Sequence, residues 1–367
     1  MREGWIKKRL TDFVWFQRGF DLPLNNFIEG NVPVYGSTSI LGFHNVAKVK
    51  APGIITGRSG TLGKFQFSNQ DFWPHNTTLW VKDFKGNNEK FAYYLLKTLD
   101  FTLFNSGGAV PSLNRNLLNA YIINIPPLET QRKIAKILSN YDDLIENNLK
   151  RIKILEEMAQ QTYEEWFVRI RFPGYETAKI NETTGLPEGW ERDLVGNQLD
   201  KIKSTTKIKS SEIQKSGLFP VIDQSRDFIA GFTDDRVAVL RYSNTPYIVF
   251  GDHTRVLKLI NFDFARGADG TQIIKSKNKR MPQHLFYFTL MNIDLSNYHY
   301  ARHFKYLKDS EIIIPSESIA NTFEDLVKLN YDIIFNLQEQ NQRLREARDI
   351  LLPRLMMGLL NVEDIDL

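Results

Sequence analysis

The chain alternates between two kinds of pattern, and each kind occurs twice. Over residues 1–125 and 190–315, apolar positions come in short β-branched or aromatic runs such as Gly53-Ile54-Ile55-Thr56 and Tyr247-Ile248-Val249-Phe250. Gly, Pro, Asn and Asp break these runs, which predicts short strands and loops. One short helix is expected in each stretch, over Phe91 to Lys97 and over His284 to Met291. After Pro126, and again after Pro315, the period changes. One series steps by four and three through Ile134, Leu138, Tyr141, Ile145, Asn148, Ile152, Leu155, Ala159, Thr162 and Trp166. The other runs through Phe323, Val327, Asn330, Ile334, Leu337, Asn341, Leu344, Arg348, Leu351 and Leu355. Sustained 3-4 spacing predicts a coiled-coil seam, and a helix of about 35 residues spans roughly 50 Å.

The two stretches echo one another. Glu3-Gly4-Trp5 recurs as Glu188-Gly189-Trp190, Val32-Pro33-Val34 as Phe219-Pro220-Val221, and Tyr93-Tyr94-Leu95 as Phe286-Tyr287-Phe288. Ile122-Ile123-Asn124-Ile125-Pro126 recurs as Glu311-Ile312-Ile313-Ile314-Pro315. Four echoes in one order at nearly one offset define two copies of a single unit. The expected boundaries are a module over 1–126, a helix over 127–170, a linker over 171–187, a second module over 188–315, a second helix over 316–360 and a tail over 361–367. The fold class is α+β: two tandem α/β modules, each followed by a long helix. The two helices are expected to pair as an antiparallel coiled coil with pseudo-two-fold symmetry. Folding back so that Ile134 faces Leu355 sets Asn148 opposite Asn341 and Trp166 opposite Phe323. A buried Asn pair fixes register at some loss of stability; the alternative is that each Asn lies at a solvent-open edge of its seam.

Composition narrows the chemistry. Cysteine is absent, which removes disulfides, thiol catalysis and thiolate metal sites and suits a reducing cytoplasm. No apolar run reaches about 18 residues, and Met1 to Leu10 is too charged for a secretory segment, so neither membrane insertion nor export is expected. The net charge is +4, which permits nucleic-acid binding without demanding it. Catalytic signals fail one by one. The prolines Pro126-Pro127 are preceded by Ile125 and followed by Leu128, which is not the (Asp/Asn)-Pro-Pro-aromatic loop of an amino-methyltransferase. Gly57 to Lys64 has the wrong spacing for a phosphate loop, and Phe65 stands at the Ser/Thr position. His299 and His303 lack the Glu of a zinc-protease helix. No metal site and no active site are expected.

The run from Pro126 through Leu128-Glu129-Thr130-Gln131-Arg132-Lys133-Ile134 leads to Ile137-Leu138, then Asp142-Asp143-Leu144-Ile145, Ala159, Trp166-Phe167-Val168 and Gly185-Leu186-Pro187-Glu188-Gly189-Trp190. This resembles the central region of the specificity subunit of type I restriction-modification enzymes. Leu351-Leu352-Pro353-Arg354-Leu355-Met356-Met357-Gly358 is similar to that family's distal helix end. Val32 to Ser37, Gly57 to Thr61 and Ser106 to Asn114 are similar to its target recognition domains. The resemblance implies a non-catalytic chain that reads a bipartite, asymmetric double-stranded DNA site. It also implies a scaffold for two adenine-N6 methyltransferase subunits and, in the full enzyme, restriction motor subunits. S-adenosylmethionine, ATP and Mg would belong to those partners, with no cofactor in this chain. The second module departs from the pattern: Gly251-Asp252-His253-Thr254-Arg255 and Ala301-Arg302-His303-Phe304-Lys305 replace the glycine-rich runs.

Candidate DNA contacts follow from residue chemistry. Arg58, Ser59 and Lys64 lie in a Gly-rich loop where backbone can approach phosphate and Arg can fork onto guanine; an ordinary hairpin is the plainer alternative. Asn114 and Arg115 are the types suited to adenine and guanine, though Asn114 also suits a helix N-cap. Tyr35 and Ser37 would line the same face, unless Tyr35 is a buried ring. In the second module the candidates are Arg302, His303 and Lys305 within Tyr298 to Tyr306, then His253, Thr254 and Arg255, then Gln224 and Arg226. Lysines at 201, 203, 207 and 209 and between Lys275 and Arg280 would add phosphate contacts only, or form a solvated face. Two other readings compete: a duplicated protein-binding scaffold without DNA specificity, and an enzyme in its own right.

Overall fold

The computed structural model describes residues 4–106, 111–202, 205–268, 270–297, 302–363 and 365. The chain divides into two compact units, and neither is continuous along the sequence. Unit 1 is Met1–Asn147 with Gln340–Leu367, and unit 2 is Asn148–Glu339. Each unit therefore takes part of both long helices, an arrangement the linear boundaries did not contain.

Unit 1 runs β1 (Ile6–Arg9), β2 (Trp15–Arg18), β3 (Val32–Tyr35), β4 (Ile40–His44), β5 (Gly53–Gly57), β6 (Phe65–Ser68), β7 (Trp73–Pro74) and β8 (Thr78–Asp83). Then come α1 (Glu89–Thr98), α2 (Arg115–Ala120), β9 (Ile122–Ile125) and the long α3 (Leu128–Tyr163), which ends in a π turn over Glu164–Val168. The strands form a sheet of order β2-β8-β5-β6, a sheet of order β4-β3-β7, and a ribbon of β1 with β9. β5 is buried at every position because it sits between β8 and β6. Its first residue must be Gly: a Cβ at Gly53 would lie 2.1 Å from Cε1 of the buried Phe72.

Unit 2 repeats the plan. It contains β10 (Glu191–Leu194), α4 (Val195–Gln198), β11 (Phe219–Ile222), β12 (Gly231–Thr233), β13 (Val239–Leu240), β14 (Tyr247–Gly251), β15 (Leu257–Ile260), β16 (Phe264–Arg266) and β17 (Thr271–Ile274). α5 (Gln283–Met291), α6 (His303–Asp309), β18 (Glu311–Ile314) and α7 (Glu317–Met356) follow. β10 pairs β18 as β1 pairs β9, and β14 is flanked by β15 and β17 as β5 is by β6 and β8. The repeat reaches single hydrogen bonds. The parallel pairing Val34↔Trp73 between β3 and β7 is matched by Val221↔Ala265 between β11 and β16. The Leu10 amide donates to the Tyr121 carbonyl at 2.7 Å, and the Val195 amide to the Ser310 carbonyl at 3.0 Å.

Within each unit the two long helices run antiparallel. In unit 1, Lys133 Nζ donates to the Glu363 carbonyl, while Arg348 Nη1 meets Asp142 Oδ1 at 2.5 Å. Ile134 and Leu138 share one core with Leu355 and Met356. In unit 2, Trp166 meets Phe323 with ring centroids 5.9 Å apart, as the fold-back register requires. Ile152, Ala159, Tyr163 and Phe167 share a core there with Val327, Tyr331, Ile334 and Leu337. The expected seam needs two corrections. Tyr163 and Phe167 are its buried members, and Thr162 and Trp166 are only half-buried; Tyr331 likewise replaces Asn330. Steps of three and four both stay on one helix face; Tyr163 packs its ring on Phe288 and Phe323, and Phe167 packs on Phe323 and Trp190. Asn148 and Asn341 are both buried, at 5% and 1% exposure, so neither lies at an open edge.

Candidate nucleic-acid interface

β5 and β14 each end on a glycine that lets another loop pass close. A Cβ at Gly57 would lie 3.1 Å from Ser37 Cβ, and one at Gly251 would lie 2.9 Å from Gln224 Cβ. Ser37 and Gln224 are thus counterparts, and both units assemble their loops around this point.

In unit 1 the Arg58 amide donates to Thr77 O at 2.9 Å, and the Leu113 amide donates to Arg58 O at 3.0 Å. Ser59 bridges Ser112, and Ser37 Oγ donates to Thr77 O at 3.1 Å. The structure therefore brings Ser37, Arg58, Ser59 and the 111–114 loop together. Arg58 is half-buried, and its Nε is enclosed without a hydrogen-bond partner among the described residues. The backbone of Arg58 is thus fixed on both sides, and its enclosed Nε is a buried donor of the kind that calls for an explanation. Lys64 is exposed on the same β5–β6 hairpin. Asn114 caps α2, its Oδ1 accepting from the Leu117 amide at 3.4 Å, so the plainer alternative for it is realised. The Arg115 side chain and residues 107–110 lie outside the described residues.

Unit 2 has the same backbone frame with other side chains. The Asp252 amide donates to Gly270 O at 2.7 Å, and the His303 amide to Asp252 O at 2.9 Å. Gln224 and Thr254 tie the loop: Gln224 Oε1 accepts from the His253 amide at 3.1 Å, and Thr254 Oγ1 donates to Gln224 O at 2.6 Å. A cleft of about 330 Å³ opens here, lined by Lys207, Asp252, His253, Gly270, Gln272 and Arg302. Arg226 and Lys305 are exposed. Residues 298–301 of the aromatic-basic run lie outside the described residues.

Three candidates have structural duties that set them apart from an open surface. Tyr35 is buried edge-to-face on Phe72 at 5.7 Å, because β3 turns its end into the core. His303 is buried at the start of α6, and burial, aided by the charge of Arg255, pushes its imidazole below the usual range. Arg255 sits in the left-handed region at φ 61° and donates from Nη1 to Leu295 O at 2.9 Å. Of the basic run, Arg280 staples β18 and the Gly189 turn, donating to Pro315 O at 2.7 Å and Gly189 O at 2.6 Å. Sequence reasoning missed Lys258. It is buried, and its ammonium donates to Asp223 O and Asp227 O at 2.9 and 2.6 Å, fixing the loop that carries Gln224 and Arg226. Burial lowers its pKa against the pull of Asp223 and Asp227. Nothing in the alternation of β15 marks this lysine as interior, since its neighbours Leu257 and Leu259 suit either face.

The two units thus share one frame and carry different polar and basic side chains over the same hydrogen bonds. The comparisons make this particular. Residues 2–157 match the family model of the type I restriction modification DNA specificity domain. The chain is 28% identical over 303 residues to the type I restriction enzyme MjaIX specificity subunit of Methanocaldococcus jannaschii, covering 75% of this chain and 70% of that relative. It is 29% identical over 133 residues to the MjaVIII specificity subunit of the same organism, covering 36% of this chain and 31% of the relative. Its fold is similar to the crystal structure of a type I restriction-modification system S subunit from M. genitalium, with a TM-score of 0.64 at 18% identity over 96% of both chains. The chain is thus similar to type I restriction-modification specificity subunits over most of its length, and the family model covers its first 157 residues from residue 2. Among the described residues, no helix is long and apolar enough to cross a membrane, and no group of three or more acidic or His side chains is placed to hold a metal ion.

Proposed function

We propose that this chain is the non-catalytic DNA-specificity subunit of a type I restriction-modification enzyme, with each unit reading one half of a bipartite, asymmetric site. The observation that carries this reading is the repeated frame with unlike contents. The bond from Leu113 to Arg58 and the bond from His303 to Asp252 are the same bond, yet one loop presents Arg58 and Ser59 and the other His253 and Arg302. Conserved backbone holds the loops at one geometry, and variable side chains set the bases read. Arg58 and Ser59 offer base-edge or phosphate donors from unit 1; Arg302 and His253 do so from unit 2, with exposed Lys64, Arg226 and Lys305 adding phosphate contacts. The long helices provide the surface for two adenine-N6 methyltransferase subunits, and for restriction subunits in the full enzyme. S-adenosylmethionine, ATP and Mg act on those partners.

The test is assembly of the full chain with a type I methyltransferase subunit, followed by sequencing of methylated adenines in random duplex DNA. A split motif with a fixed unread gap is expected, and its absence would overturn the proposal. A protein-binding scaffold predicts no sequence-dependent, salt-sensitive DNA binding, and an independent enzyme predicts methylation or cleavage by the chain alone.

A further inference from the structure

Unit 2 carries a polar residue at a strand position where unit 1 carries leucine. The pairings Gly57↔Thr78 and Gly251↔Thr271 set Leu79 and Gln272 as counterparts. Leu79 is wholly buried in the core of unit 1. Gln272 is half-buried and lines the 330 Å³ cleft beside Lys207, His253 and Arg302. An amide where the frame expects leucine costs stability unless it gains a polar partner. Its strand end is braced: Arg266 Nε donates to Thr271 O at 2.8 Å, and Arg266 Nη2 lies 3.5 Å from Gln272 Oε1. That brace leaves the Nε2 donors and the second lone pair of Oε1 for a ligand.

The charge around the cleft favours an anion. Its carboxylate, Asp252, is buried and accepts from the Phe304 amide at 2.8 Å, capping α6. Lys207, His253 and Arg302 are exposed at the rim. The opening depends on Gly270, which has φ 70° and where a Cβ would lie 2.7 Å from both Gln224 Oε1 and His253 Cδ2.

We infer that this cleft is the base-reading site of unit 2, with the Gln272 amide pairing the N6–N7 edge of an adenine while Lys207 holds a flanking phosphate. The inference rests on the proposed DNA-specificity function. Gln matches adenine by donating to N7 and accepting from N6. Selection of random duplexes by the full chain, assembled with a type I methyltransferase subunit, tests it. The wild-type complex should select a split motif. Gln272→Leu, which installs the residue unit 1 carries, should leave one half-site intact and lower the adenine preference at one column of the other by roughly 5- to 100-fold. Lys207→Ala should weaken binding to all sequences alike and reduce the salt slope by about one. An unchanged motif with Gln272→Leu, in a variant that melts like wild type, overturns the inference while leaving the proposed function standing. A sequence change with Lys207→Ala would overturn the phosphate assignment. No motif with wild type would overturn the proposed function and this inference with it.

Discussion

At the scale of single residues, the candidate contacts stand on backbone that is already fixed. Arg58 is held through its amide by Thr77 and through its carbonyl by Leu113, so a DNA contact from its guanidinium would cost little backbone entropy. Arg302 lines a cleft whose walls are equally tied. Each belongs to a different unit. Arg58→Ala and Arg302→Ala are therefore expected to relax one half-site each, by roughly 5- to 100-fold at the affected base if the contact is bidentate. Duplex selection with each variant measures this, and equal loss of both halves would show that the units do not read separately. Tyr35 and His303 teach the complementary lesson. Both have recognition chemistry, yet the end of β3 and the start of α6 turn them inward. A sequence shows what a side chain is able to bind, whereas the direction of the strand end decides what it reaches.

At the scale of elements, the long helices are joined to their modules by buried polar groups as well as by the seam. Tyr94 on α1 donates from its hydroxyl to Asp142 Oδ2 at 2.6 Å, and Arg348 on α7 meets the other oxygen. Asp142→Ala leaves the Tyr94 phenol without its acceptor and the Arg348 guanidinium with Asp349 as its remaining carboxylate. The Arg348 and Asp142 side chains keep 18% and 28% exposure, so the loss should be about 2 kcal/mol, below that of a fully buried pair. Denaturant unfolding checks it, and Asp142→Leu with Arg348→Met should recover part of the loss because neither charge is then stranded. Alkaline pH tests the aromatic packing around α5. Burial pushes the phenols of Tyr163 and Tyr287 up to about 12, against about 10 in an unfolded chain. The folded state then holds these protons more tightly, so their stabilising term is whole below pH ~10 and falls away as pH rises toward about 12. Tyrosinate absorbance and circular dichroism should change together in that window; ionisation well before unfolding would place these rings at the surface. Much at this scale was legible beforehand. Matched triplets such as Val32-Pro33-Val34 and Phe219-Pro220-Val221 exposed the repeat because they are strand cores, β3 and β11. The seam was legible to within one step, and it slipped at Tyr163 because three- and four-residue steps are equivalent on a helix until the packing partners decide. Lys258 and Gln272 were not legible, since their meaning depends on which strand covers them.

At the scale of the whole chain, the long helices have a property that no linear boundary shows. α3 and α7 each contribute to both compact units, so a change in helix length acts on both. We expect this length to set the number of unread base pairs between the half-sites. One heptad inserted in each helix, at matched seam positions near Asn148 and Asn341, keeps the 3-4 pattern and adds roughly 10 Å of rise. At 3.4 Å per base pair this corresponds to about three more base pairs in the gap. Both half-sites should stay as they are, because β5, β14 and their loops are untouched. An insertion in one helix alone breaks the antiparallel register and should cost stability without yielding a new gap. Methylated-adenine sequencing with the doubly extended chain reads the result directly. A gap of the original length would mean that DNA bending, and not the helices, sets the distance between the halves.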